Sequence, residues 1–91
     1  MAVSDYISAV DEFAELMKKR LREKEAKWGK PEGYTLDELR LGLLDEIREW
    51  GESVGQAEED VELLVVACSA FLVWHSRRRE QVEDCERGNP P

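Results

Sequence analysis

Three glutamates stand where helical periodicity would gather them. Glu46 and Glu49 lie one turn apart in Leu43-Leu44-Asp45-Glu46-Ile47-Arg48-Glu49, and Glu62 opens an otherwise apolar run, Val61 to Trp74. At about 100° per residue, Gly42, Glu46, Glu49 and Ser53 share one flank of an apolar stripe, with Glu46 nearest the core. By the same count Glu58, Glu62, Val65 and Ser69 share a face of the following helix. Carboxylates at the edge of an apolar bundle are costly to desolvate unless something neutralises them. If the two flanks meet, the converging oxygen ligands suit Mg²⁺ or Mn²⁺, ions that also bind substrate phosphates. The residues leave a plainer reading open. Glu-x-x-Glu is abundant on solvated helices, Arg48, Glu49 and Glu52 could form a surface charge belt, and a first-turn acid such as Glu62 can be held by the helix dipole alone.

Three helical segments and two breaks must position these acids. Val3, Tyr6, Ile7, Val10, Phe13, Ala14, Met17, Leu21 and Trp28 recur at three- and four-residue steps, which predicts an amphipathic helix over about 4–27. Ser4 or Asp5 can cap its start, and Trp28-Gly29-Lys30-Pro31-Glu32-Gly33 ends it. Thr35-Leu36-Asp37-Glu38 is a capping box that opens a second helix over about 36–53. Its apolar stripe is Leu36, Leu39, Leu43, Ile47, Trp50 and Val54, with Gly51 and Gly55 marking its end. A third helix, about 58–86, begins with first-turn acids and is apolar around its circumference from Val61 to Trp74, as expected of a helix covered on all sides. Residues 87–91 read as a frayed tail. The expected fold is all-α, a single-domain antiparallel bundle of three main helices. Such a chain cannot easily surround its own third helix, so a homo-oligomer, dimer or tetramer, is expected to complete a four-helix-bundle-like core with that helix at the interface.

Composition narrows the function classes. The chain has 91 residues, with 13 basic against 21 acidic side chains and a net charge of -8. That balance argues against a nucleic-acid backbone as the main partner, since phosphate binding needs a basic surface. It leaves a metal–nucleotide ligand open, because the metal supplies positive charge. Cys68 and Cys85 have no metal-ligand spacing. Cys68 reads as a small core residue and Cys85 as a free surface thiol, a usage that favours a reducing, cytoplasmic setting. No charged-then-apolar leader opens the sequence, so no secretory signal is expected. The longest uncharged run, Leu63 to Trp74, is too short to span a membrane.

Taken together, the two acidic segments resemble the signature of the MazG-like all-α nucleoside triphosphate pyrophosphohydrolases. That signature is Glu-Glu-x-x-Glu on one helix and Glu-x-x-Asp on the next. Asp45-Glu46-Ile47-Arg48-Glu49 is similar to the first half, with Asp at its first position, and Glu62-Leu63-Leu64-Val65 to the second. The leading helix, ending Glu25-Ala26-Lys27-Trp28-Gly29, is also similar to that of short members, and the resemblance runs from about Phe13 to Trp74. Two departures stand out: Val65 occupies the place of the motif Asp, and Cys68 and Ser69 replace the polar residues that often follow. Losing one carboxylate of four removes a ligand and leaves a cation less well neutralised.

The resemblance implies Mg²⁺-dependent hydrolysis of a nucleoside triphosphate to the monophosphate and pyrophosphate. It assigns Glu46, Glu49 and Glu62 to the metal, with Glu46 and Glu49 also positioned to handle the attacking water. Asp45 and Glu58 are secondary metal candidates. Lys24, inside the first helix's apolar stripe, and Lys27, one turn on, are candidate phosphate ligands, although a lysine there can equally snorkel from a helix end. Arg77, Arg78 and Arg79 read as partners of a helix C-terminus and a solubilising patch. Trp28, Tyr34 and Trp50 could stack a base or simply pack. His75 has no evident Ser or Cys partner for a catalytic triad. Val65 keeps a second function class in view, a non-catalytic dimerisation or nucleotide-sensing module of the same fold.

Overall fold

Local capping chemistry sets where each helix starts. In a computed structural model, which describes the backbone of residues 5–86 and the side chains of 5–83, helix α1 spans Tyr6–Trp28. Asp5 is its N-cap: the carboxylate accepts from the Ser8 amide at 3.3 Å and from the Ser8 hydroxyl at 2.7 Å. Those hydrogen bonds, the hydroxyl's first, hold the Asp5 carboxyl below its ordinary range. Val3 and Ser4, also expected near this start, lie outside the described residues, as do the side chain of Cys85 and the tail 87–91.

Gly29, at φ 87, ends α1 and donates its amide to the Glu25 carbonyl, a left-handed cap that a Cβ would strain. One 3₁₀ turn, Pro31–Gly33, follows. It is pinned from two sides: the Tyr34 hydroxyl donates to the Trp28 carbonyl at 2.9 Å, and Glu32 pairs with Arg79 at 3.7 Å.

Helix α2, Leu36–Ser53, opens on the expected capping box. The Thr35 amide donates to Glu38 Oε1 at 2.8 Å, and Thr35 Oγ1 accepts from the Glu38 amide at 3.1 Å. Gly51 sits inside α2 rather than beyond it, and Gly55, at φ 82, makes the turn. Helix α3 spans Glu59–Glu86. The all-α expectation therefore holds across the described residues, with boundaries within two residues of those read from sequence.

α3 is the shared support. α1 and α2 both pack on it and hardly touch each other. Val65, Cys68, Ser69, Leu72 and Ser76 are its buried strip, the deepest surface of the molecule. α2 runs antiparallel to α3 and presents Leu36, Leu39, Leu43, Glu46 and Trp50, all half-buried, and Ser53, buried. This run keeps a strict three–four spacing, so Glu46 and Ser53 face inward. Ile47 and Val54, expected in that stripe, are 42% and 54% exposed. α1 offers Ala14, Met17, Leu21 and Lys24 to α3, and none of its residues is fully buried.

The expectation that α3 is covered all round differs from what this chain provides. Leu63, Phe71 and Trp74 remain outward, because two neighbouring helices can cover only part of a cylinder. None of the described helices is long and apolar enough to cross a membrane.

Because the core is one narrow strip, its members carry unequal loads. Leu72→Ala should destabilise the protein by about 2–4 kcal/mol through lost burial and a residual cavity. Leu44→Ala, at a 62% exposed position, should stay within about 0.5 kcal/mol of the parent. Urea denaturation of both variants measures the difference.

Candidate metal centre

Since α1 and α2 lean on α3 without meeting, the space between them is a groove floored by α3. Its larger part, about 710 Å³, is walled by Trp28 and Tyr34 on one side and Leu39 and Glu46 on the other, with Leu72 and His75 below. A smaller hollow of about 360 Å³ adjoins it, lined by Arg20, Glu23, Lys24, Lys27, Trp28, Glu46, Val65 and Cys68. Lys24 and Glu46 border both spaces, facing each other from α1 and α2.

The antiparallel pairing of α2 and α3 brings the three expected acids together. Glu46, Glu49 and Glu62 each place a carboxylate oxygen within 4.8 Å of the others. Glu46 and Glu62 are half-buried and Glu49 is exposed, the order expected from the helical wheel. Two like-charged helix faces in contact cost energy unless a proton or a cation intervenes. The Glu46 carboxyl accordingly sits above its ordinary range. Burial is the main cause, followed by the charge of Glu49, a hydrogen bond to Glu49 that favours the protonated form, and the charge of Glu62; Lys24 offsets part of this.

The other candidates fall at different distances from the cluster. Asp45 and Glu58 are exposed and lie outside it; Glu58 instead accepts the Glu62 amide through its carbonyl at 2.9 Å, one residue before α3 begins. Arg48 pairs with Glu52 at 3.3 Å, so that part of the surface belt forms without Glu49. Val65 is buried on the wall of the smaller hollow beside Glu46, where an Asp side chain would project into the same space.

Among the cations, Lys24 is half-buried and Lys27 exposed with its ammonium 5.2 Å from the Trp28 ring centre. Arg20 joins them on the hollow's wall. The sequence signal for Arg20 was its place one turn before Lys24, a position that reads as ordinary surface until α1 is docked.

Cys68, at 2% exposure, donates its thiol weakly to the Met17 carbonyl at 3.8 Å, and burial pushes the thiol up from its ordinary range. It is a packing residue. His75 stacks on Phe71 at 5.8 Å and edges the larger groove, with no nucleophile assigned to it. Trp28 and Tyr34 line that groove as exposed side chains, whereas Trp50 packs half-buried elsewhere on α2.

The raised Glu46 carboxyl fixes a sign. The folded state holds that proton more tightly than the unfolded chain, so this stability is present at low pH and is lost as pH rises through the raised value. Glu46→Gln should therefore unfold at a higher temperature than the parent at neutral pH without divalent cations. The gap should close below about pH 4, where carboxylates are protonated in both states. A thermal melt series across pH reads this directly, and equal melting temperatures at neutral pH would contradict it.

Compared with known proteins, the chain matches no family model, no curated protein and no solved structure.

Proposed function

We propose that this protein is a divalent-metal-dependent hydrolase of nucleoside triphosphates that releases pyrophosphate. The observation that carries the reading is the convergence of Glu46, Glu49 and Glu62, with Glu46 also lining a hollow that holds Arg20, Lys24 and Lys27 along with Glu23. The donor set fits the ion. All three groups supply hard carboxylate oxygens, and their spread of 4.8 Å needs only side-chain adjustment to surround an ion bound at about 2.1 Å. Bound there, Mg²⁺ or Mn²⁺ would neutralise charge growing on phosphate oxygens.

The chain's own residues account for the rest of the task. Lys24, with Arg20 and Lys27, lines the hollow next to the acids, where a polyphosphate would meet both charge signs. Glu49, the most exposed of the three acids, is the carboxylate best placed to orient an attacking water, with Glu46 behind it. The buried strip of α3 closes the floor and keeps bulk water on one side only. The resemblance of the two acidic segments to the MazG-like signature supports the same reading.

Val65 favours a second reading. A buried valine beside Glu46 supplies no oxygen where the similar motif has one. A module that kept the fold but lost turnover, serving in self-association or nucleotide sensing, accounts for that residue more simply.

Pyrophosphate release from a panel of nucleoside triphosphates with Mg²⁺ separates the two. The hydrolase reading expects turnover that Glu46→Gln lowers about 100-fold or more, as loss of a transition-state charge partner would. It also expects Val65→Asp to raise activity. No release from any substrate by either the parent or Val65→Asp would overturn it. The metal alone has its own readout: saturating Mg²⁺ should raise the melting temperature of the parent and leave Glu46→Gln unmoved.

A further inference from the structure

The apolar stripe of α1 runs on past its contact with α3 into the N-terminal half of the helix, where nothing within the chain covers it. Tyr6, Ala9, Val10, Phe13 and Leu16 follow helical spacing along one side of its N-terminal half, and all five are exposed, Tyr6 at 76%. Charge along the same helix is segregated. From Tyr6 to Leu16 it carries Asp11, Glu12 and Glu15 and no base. From Met17 to Trp28 it carries six bases and only two acids.

Within the chain this segregation is partly used. Lys18 pairs with Glu15 at 3.2 Å and Arg20 with Glu23 at 3.8 Å. Glu12 and Lys19, both exposed, make no ion pair among the described residues. They sit seven residues apart on the same side of the apolar flank, and the midpoint between them falls beside Leu16.

We infer that two copies of this chain pair antiparallel along α1, with a two-fold axis beside Leu16 that sets Leu16 against its counterpart, Phe13 of each copy beside Leu16 of the other, and Glu12 of each copy opposite Lys19 of the other. A second copy is the occupant that the charge pattern selects, because antiparallel alignment lays each acidic half on a basic half and opposes the helix dipoles, whereas parallel alignment sets like on like. An isologous contact also places every favourable pair twice. The arrangement locates the expected self-association on α1 rather than on α3. It rests on that expectation alone and not on the hydrolase chemistry, which pyrophosphate release tests separately.

Sedimentation equilibrium of the full chain at low salt, with charge variants, decides the matter. The parent should be dimeric at about 10 μM. Glu12→Lys and Lys19→Glu should each weaken dimerisation about tenfold, since two exposed pairs turn repulsive at once. The double variant carrying both changes should recover parental affinity, and an equimolar mixture of the two single variants should form the mixed dimer in preference to either homodimer. Phe13→Asp should leave a monomer with unchanged helical circular dichroism. A parent that stays monomeric at about 100 μM overturns both the pairing and the self-association expectation. A dimer indifferent to Glu12→Lys and Lys19→Glu overturns the α1 pairing and leaves self-association standing on another face.

Discussion

Val65, Cys68, Ser69, Leu72 and Ser76 form the strip of α3 on which both other helices rest, and the positions of all the candidate functional groups follow from that shared support. Three of the five are small, so the neighbours can approach closely without large side chains holding them apart. Had α1 and α2 packed on each other as well, the interior would close and the space beside Glu46 would fill. Instead they stand apart, and the surface between them becomes a groove floored by α3, with acids on the α2 wall and both bases and acids on the α1 wall.

That arrangement explains how an acid can occupy a core-facing position. Glu46 falls on α2's inward stripe between Leu43 and Trp50, a place where an unpaired carboxylate would be expelled from an ordinary interior. Here the stripe runs past the groove at that level, so Glu46 is half-buried rather than enclosed, and Lys24 stands across from it. The balance is incomplete: burial first, and then the charges of Glu49 and Glu62, hold the Glu46 carboxyl above its ordinary range, and Lys24 offsets only part of this.

Much of this was legible in the sequence because it depends on local rules. The Thr35–Glu38 box, the Gly29 cap and the three–four spacing of apolar residues each encode a boundary or a face without reference to the rest of the fold. The convergence of Glu46, Glu49 and Glu62 was legible for the same reason, once two helix faces were assumed to meet. What escaped was the choice between near-equivalent stripes. Ile47 and Glu46 are adjacent, and hydrophobicity alone favours burying Ile47. The observed rotation of α2 buries Ser53 and leaves Ile47 and Val54 exposed, against a strip of α3 rich in small residues that no periodicity count weighs. Arg20 escaped likewise, because a hollow between α1 and α2 exists only after both have docked on α3.

α1 links the groove to the molecular surface. Lys24, in its C-terminal half, borders the hollow beside Glu46, while its N-terminal half carries the exposed apolar residues, with Glu12 and Lys19 to one side of them and unpaired among the described residues. None of its residues is fully buried, so within one chain it is the least firmly held of the three helices. Any contact that fixes the N-terminal half must also restrict the half that carries Lys24, because a helix moves as a unit. In the proposed pair, docking a second copy on Phe13 and Leu16 would therefore narrow the range of distances between Lys24 and Glu46. Self-association and the geometry of the acidic site would then be coupled through a single rigid element, with no contact between the partner and the acids required.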